Sequence, residues 1–482
     1  MINLSVIDII ILIVYISLVI FIGFKTPWKR EDKLSEYLLA GRNITLPIFV
    51  ATFVSTWYGG IMGVGEMTYR YGISNWVMQG LPYYIFAFIF AFTLAKKIRQ
   101  SNLITIPDKL NESYDKKNAL LGAFLTFILV TPAPYILMIA VFIQILFGIN
   151  LFYSVFISAL ISIPYLYFGG FKSDIYTDIF EFFIMFLGLF IIIPFALHFY
   201  GGYDYLINNL PPLHLTITGG NSVQYIIVWF FIALWTMVDP TFHQRCYAAK
   251  DPKTAKNGIL LSIIFWLIFD FLTTTIGLYS KAILPNLSEP MWAYPLLAEK
   301  ILPPIAKGFF YAGLLATIMS TLNSYSLISS TTLGKDLFAR FFNVSDELRI
   351  KKYIQISILI TTAFSILISL IIPSVINIWY NIGTAIIPGL LLPVILGYFP
   401  KYKISPNKTF ILMLVGWISS SISLIIGYLR ANNGLNIYLF GIEPMYLGLI
   451  TTIFLYVFFF FFERKKGVNK LYNIIQQDHE RQ

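Results

Sequence analysis

Four hydroxyl-bearing residues, Thr317, Ser320, Thr321 and Ser324, stand at i, i+3, i+4 and i+7 within LATIMSTLNSYSLISSTTLGKD. In a helix they share one face. Hydroxyl oxygens are hard donors of the kind that alkali and alkaline-earth cations take. No carboxylate belongs to the face itself, which suits a monovalent ion better than a divalent one. The same pattern arises where Ser and Thr bond back to carbonyls one turn earlier, or to a neighbouring helix in a membrane. Spacing alone leaves both readings open.

Five carboxylates lie within or close to apolar runs: Glu66, Asp178, Glu181, Asp239 and Asp270. Burying such groups in a bilayer is costly, so each is a functional candidate. Asp178 and Glu181 lie near the start of an apolar run, where exposure at a helix end would account for them. Asp239 is deeper and precedes Pro240, and Asp270 could pair with a polar neighbour. Trp57, Tyr58, Tyr83, Tyr84, Trp229, Trp235, Trp379 and Tyr380 could line a solute cavity, although most aromatics in a chain that is 17% aromatic serve as interfacial belts or packing. Trp57 and Trp235 stand out because each sits at an interruption of its helix. A cation held between tryptophan faces and Asp239 would gain cation–π attraction of roughly 2 kcal/mol when desolvated. That favours a quaternary amine or zwitterion over a neutral sugar.

The element that must carry Trp57 is ATFVSTWYGGIMGVGEMTYRYG, Ala51 to Gly72. Ser55, Thr56, Gly59, Gly60, Gly63 and Gly65 interrupt its apolar run, and each glycine costs a helix roughly 1 kcal/mol relative to alanine. Non-helical backbone at membrane depth is tolerated only where protein or a cavity encloses it. Discontinuous helices of this kind form midplane sites in secondary transporters, although close packing of helices through small residues would also explain the glycines. The second interruption is at Pro240, which removes a helix donor and frees the Thr236 carbonyl.

The remaining sequence reads as membrane protein. Only 12% of the 482 residues are charged, against about 25% in a soluble domain. Apolar runs of span length cover 5–24, 46–70, 75–98, 118–148, 151–168, 175–200, 222–246, 257–283, 306–334, 352–372, 375–398, 407–429 and 443–463. The first reads as an uncleaved span rather than a signal peptide. With the N-terminus outside, Arg70, Lys281, Lys300, Lys307 and Arg430 fall outside, and the other 29 of the 34 Lys and Arg fall on the cytoplasmic side. Dropping one helix would reverse every later loop and destroy this bias, so the positive-inside rule favours thirteen spans and a cytoplasmic C-terminus. It also explains the net charge of +10 without a nucleic-acid partner. The single cysteine, Cys246, and four scattered histidines exclude an intrachain disulfide and a Cys-based metal site. No nucleotide-binding loop is present to power an ATP motor. Pro132, Pro134, Gly383, Pro388, Gly389 and Pro393 mark further irregular helices. The breaks near 55–60 and 236–240 lie five helices apart, as two five-helix repeats of opposite topology would place them.

At these residues the chain resembles the sodium/solute symporter family, which includes sodium/proline, sodium/galactose and choline transporters. The resemblance runs from about Tyr37 to Phe399. It rests on EYLLAGRN, ATFVSTWYGG, TIPDKL, GGFKSDIYTD, DPTFHQRCYAAKD and the stretch around MSTLNS, in that order. It implies a leucine-transporter-like fold and a Na⁺ site held by the carbonyls of Ala51, Val54 and Thr317 and the hydroxyls of Ser320 and Thr321. Asp178 would lie behind the ion and influence its release. Gln79 and Asp239 fall near positions that contact sugar in the galactose branch. Phe53 replaces the aspartate or asparagine of the proline and sugar branches, so neither solute carries over. The STWYGG form is nearest the choline branch.

Together these observations predict an all-α polytopic membrane protein of one transporter domain, 1–482. An extra N-terminal helix (5–24) precedes two inverted five-helix repeats (46–200 and 222–398). Two C-terminal helices (407–463) and a cytoplasmic tail (464–482) follow. The expected function is sodium-coupled import of a small organic solute across the inner membrane, with no enzymatic activity. Trp57, Tyr58, Gln79, Trp235, Asp239 and Trp379 are the expected solute contacts. Proton coupling through Glu66 or Asp239 is the alternative within this class. A channel would need a continuous pore rather than paired helix breaks, and the family's sensor members carry a kinase extension for which the tail after Glu463 is too short. The partners are Na⁺, the solute and the lipid bilayer, and no oligomeric state follows.

Overall fold

The computed structural model describes residues 2–25, 33–431 and 436–480, without the side chains of 161–169 and 465–480. Among the described residues the secondary structure is helical, apart from one isolated bridge between Ile44 and Ala249. Eleven helices there are long and apolar enough to cross a membrane. The two other spans expected from the sequence, 151–168 and 306–334, fall on the helices Leu151–Phe190 and Ala306–Thr331. The second is not among the eleven, yet almost every one of its residues is buried. A helix enclosed by protein needs partners for its hydroxyls rather than lipophilic side chains. Val6–Lys25 and Pro444–Arg464 are the opposite case, only 28% and 22% buried, with apolar surfaces turned to lipid.

The first helix is tied at its start to the start of the central one. Asp8 is fully buried, and its Oδ1 accepts the N–H groups of Ile305 and Gly308, both at 2.9 Å. It thereby caps Ala306–Thr331 from a different helix, satisfying amides that have no intrahelical partner. Two turns along, the Tyr15 hydroxyl donates to Glu181 Oε1 at 3.0 Å.

Both expected breaks are present and differ in kind. Leu46–Trp57 passes into a three-residue 3₁₀ turn, Tyr58–Gly60, before Ile61–Tyr71 resumes. Glycine is required here for close approach: a Cβ on Gly59 would overlap the Thr321 side chain, and one on Gly60 would overlap the Trp379 ring. The second break is complete. Asp239 is extended (φ −71°, ψ 118°) between Trp235–Val238 and Pro240–Ala248, and its Oδ1 accepts the Thr241 N–H at 2.7 Å. An N-cap carboxylate followed by proline at the first helical position restarts a helix efficiently.

One expected loop is not a loop. Spans 151–168 and 175–200 meet within Leu151–Phe190 at Gly170, whose φ of 59° and ψ of −152° favour glycine. Tyr37 packs where a Cβ would stand, so one residue makes the break. Similarly, 118–148 is two helices, Lys116–Leu129 and Ala133–Phe147, separated ahead of Pro132 and Pro134.

The connections sort onto two faces as the span order requires. On one, Arg42 donates to the Tyr247 and Leu103 carbonyls, Arg99 to Ala249, Lys403 to Ser113, and Lys335 pairs with Asp108 at 2.7 Å. On the other, Tyr69 donates to the Leu284 carbonyl, His214 Nε2 meets the Tyr69 carbonyl, Tyr279 donates to Gly201 and Tyr446 to Gln224.

Candidate sodium and solute sites

The hydroxyl face of Ala306–Thr331 meets the end of Leu46–Trp57. Val54 and Thr56 lie in the last turn of that helix, where carbonyls lose intrahelical donors. Thr321 Oγ1 donates to the Thr56 carbonyl at 2.6 Å and lies 3.4 Å from the Thr317 carbonyl. Ala51 is one turn earlier, and its carbonyl accepts the Ser55 hydroxyl at 3.0 Å. The Thr317 hydroxyl is turned back to the Gly313 carbonyl at 2.7 Å, leaving its own carbonyl as the group facing Thr321. Thr56, two residues after Val54, thus meets Thr321 beside the close approach that Gly59 permits, while the Ala51 carbonyl is engaged by Ser55 on its own helix. Ala51, Val54, Thr317, Ser320 and Thr321 would all offer oxygen atoms without formal charge, and no group of three or more His, Cys, Asp or Glu is placed to hold a metal among the described residues.

Asp178 stands directly behind this face. Its Oδ1 accepts the Ser320 hydroxyl at 2.5 Å, and its Oδ2 accepts the Thr56 hydroxyl at 3.2 Å. The residue that sequence reasoning missed is Arg245. Its Nη2 reaches the Thr56 hydroxyl (2.8 Å), the Ser324 hydroxyl (2.9 Å), Asp178 Oδ2 (3.2 Å) and Asp174 Oδ2 (3.5 Å). Ser324 in turn donates to Asp174 Oδ2 at 2.6 Å. Arg245 and both carboxylates are fully buried. The only hint in the sequence was a cation inside DPTFHQRCYAAKD, which reads there as an ordinary cytoplasmic helix end. Of the four-residue face, Ser324 therefore serves this ion-pair network, whereas Ser320 and Thr321 border the helix junction.

The six expected solute contacts, Trp57, Tyr58, Gln79, Trp235, Asp239 and Trp379, line one cavity of about 790 Å³ including its open mouth. Tyr83, Tyr84, Trp229 and Asp270 also line it, as do Tyr135 and Tyr325, which sequence reasoning did not single out. Tyr380 is not part of the lining, and its hydroxyl is bonded to Glu443. Trp57 packs edge-on against Tyr83 at 5.0 Å and at a shallow tilt against Trp266 at 5.2 Å. Asp239 Oδ2 accepts the Tyr325 hydroxyl at 3.1 Å. Glu66 stands apart, paired with Arg70 at 3.0 Å. Beyond Pro240, toward the Arg42 face, a smaller cavity of about 360 Å³ is lined by Thr105, His243, Gln244 and Tyr247. The Tyr247 hydroxyl there is paired with that of Tyr398 at 2.7 Å.

The Sodium:solute symporter family matches residues 37–416. The chain belongs to the sodium:solute symporter family. It is 27% identical over 391 residues to the sodium/pantothenate symporter of Haemophilus influenzae, covering 77% of this chain and 80% of that one. It is also 27% identical over 412 residues to sodium/proline symporter 2 of Staphylococcus saprophyticus, covering 79% of each. Among solved structures, a Na⁺-coupled sialic acid symporter in its substrate-bound outward-open state superposes with a TM-score of 0.77 at 15% identity, over 95% of this chain and 97% of that one. The inward-facing conformation of Mhp1 follows with a TM-score of 0.54 at 15% identity, over 92% and 95%. These two likenesses show the leucine-transporter-like fold. The chain is therefore a multi-pass membrane transporter rather than an enzyme. It imports a small solute by sodium-coupled symport with alternating access, and Na⁺ is its coupling ion.

Proposed function

We propose that this symporter imports a small organic solute with a cationic nitrogen. Its Na⁺ is held by the carbonyls of Ala51, Val54 and Thr317 and the hydroxyls of Ser320 and Thr321. The observation that carries the solute class is the composition of the cavity: among the described residues its lining has four tryptophans, five tyrosines and two aspartates, and no Lys, Arg or His. Aromatic faces with a carboxylate attract a desolvated cation. A carboxylate solute such as pantothenate, named for a relative, would meet Asp239 and Asp270 with no counter-charge. Trp57 and Trp235, at the two helix breaks, approach the nitrogen, with Tyr58, Gln79 and Trp379 completing the enclosure.

Trp57 is followed by the turn whose Gly59 packs on Thr321, so ion and solute sites share one helix end. Na⁺ bridging the two helices would order that end and with it Trp57. By linkage, solute must then raise Na⁺ affinity by the same factor. The larger volume of the solute cavity compared with the one near Tyr247 supports an outward-facing arrangement. The excess of Lys and Arg on the Arg42 face supports a cytoplasmic position for that face, with the N-terminus outside and 464–482 inside. The repeats are assigned to 46–200 and 222–398, with 5–24 and 407–463 outside them.

The test is a panel of quaternary and primary amines, neutral sugars, amino acids and carboxylates, scored by thermal stabilisation of the purified chain with sodium and with potassium. Amines should stabilise only in sodium, and Trp57→Leu should weaken them. Stabilisation by a carboxylate or sugar alone would overturn this solute class.

A further inference from the structure

Two carboxylates line the solute cavity, and different structures hold them. Asp239 sits at the break beneath Trp235, with Oδ1 on the Thr241 amide and Oδ2 on the Tyr325 hydroxyl. Asp270 comes from the middle of Pro252–Ile283, and its Oδ2 accepts the hydroxyl of Tyr84 on Leu81–Thr93. The two groups thus belong to separate walls. Neither forms an ion pair among the described residues. The nearby cation, Arg245, is committed to Asp174 and Asp178.

The wall around Asp270 has a distinctive local build. Trp76–Gly80 is a five-residue π-helical turn leading into Leu81–Thr93, and such turns recur at functional sites. It brings Gln79 to the cavity and sets Gly80 against the carboxylate: a Cβ there would lie 2.8 Å from Asp270 Oδ2 and 2.7 Å from the Trp76 ring. Trp76 and Tyr84 rings stand 6.5 Å apart. The result is a carboxylate beside Gly80 and the Trp76 and Tyr84 side chains.

Enclosing one unpaired carboxylate at membrane depth is costly, and enclosing two without a counter-ion is more so. A solute with a single cationic nitrogen compensates one of them. We propose that Asp270 is a second cation-recognising anchor, so that the solute carries two protonated nitrogens, as an aliphatic diamine does. One nitrogen lies at Asp239 beneath the tryptophans and the other at Asp270 beside Tyr84. This inference rests on the reading that the cavity takes a cation, and it adds the number and placement of the charges.

The test uses the full chain in proteoliposomes with a sodium gradient and compares putrescine, n-butylamine and choline as competitors. In the wild type, putrescine should bind at least about ten-fold more tightly than n-butylamine, because only the dication engages both carboxylates. Asp270→Asn should remove that preference while leaving choline within about two-fold of wild type. Phe88→Leu, on the exposed face of Leu81–Thr93, should keep the preference and serves as the control. Equal affinity for putrescine and n-butylamine in the wild type would overturn the proposal without any substitution. An Asp270→Asn variant with an intact preference, an equal loss for all three amines, or a changed sodium requirement with unchanged putrescine affinity would also overturn it. If choline competes but putrescine gains nothing, the single-cation reading stands and only the second anchor fails. If no amine competes, both fall together.

Discussion

Replacing Arg245 with glutamine isolates the contribution of the ion-pair network behind the sodium face. The guanidinium and its two partners are completely buried, at 3.2 Å from Asp178 and 3.5 Å from Asp174. The glutamine amide cannot reach four acceptors at once, and it leaves two carboxylates and no cation. Breaking a buried pair by removing one partner costs about 3–5 kcal/mol, because the remaining charge is stranded. In a chain of this size that corresponds to a drop in melting temperature on the order of 5 °C. The assay is thermal unfolding in detergent with potassium as the only alkali cation, so that sodium does not contribute. The double variant Arg245→Gln with Asp174→Asn tests the cause. With one of the two stranded charges neutralised, more than half of the loss should return, giving a strong favourable coupling in the cycle. If Arg245→Gln melts with the wild type, or Asp174→Asn deepens its defect, the network does not hold these helices in the way argued.

Asp178→Asn removes the charge behind Ser320 while keeping an acceptor, so the sodium concentration for half-maximal uptake should rise roughly ten-fold. Solute preference should be unchanged, and a changed preference with unaltered sodium dependence would refute this role. On the Arg42 face, burial raises the Asp108 carboxyl, but the Lys335 and Arg340 charges outweigh it and hold it at about 2. A depressed carboxyl contributes stability above its unfolded pKa, and that stability is lost as pH falls through the folded value. Asp108→Asn should therefore lower the melting temperature at pH 7, and the gap to wild type should close between about pH 4 and pH 2. For topology, Cys246 is the single native cysteine and is buried, so the labelling background is low. A cysteine at exposed Asn208 should react with impermeant maleimide in intact cells and one at exposed Asn111 should not. The reverse pattern would invert the orientation.

Much of this was legible because membranes impose simple rules. Charge sparsity and span length gave the helical membrane architecture, and glycine density at 59–65 and Pro240 gave both breaks. The hydroxyl face of Thr317, Ser320, Thr321 and Ser324 followed from a 3.6-residue period. What was not legible depends on partners far apart in sequence. Arg245 meets Asp174 and Asp178 across 71 and 67 residues, and Tyr84 meets Asp270 across 186. No local pattern distinguishes such a residue from a solvated helix end. Nothing local in the sequence marks Asp8, because the amides it caps lie some 300 residues away. The direct junction of the two helices at Gly170 was hidden for another reason: one glycine with positive φ makes the turn that a loop would otherwise make.

The central claim is that Na⁺ joins the end of Leu46–Trp57 to Ala306–Thr331 through the Ser320 and Thr321 hydroxyls. Thermal stabilisation of the purified chain by sodium over potassium measures this directly, in Ser320→Ala, Thr321→Ala and Thr321→Ser. Each alanine variant should fold and lose most of the sodium-specific stabilisation, since a partly dehydrated ion is left short of an oxygen. Thr321→Ser should respond as wild type does, because it keeps the hydroxyl that now donates to the Thr56 carbonyl at 2.6 Å. Sodium stabilisation at wild-type strength in both alanine variants would contradict the site and the coupling built on it.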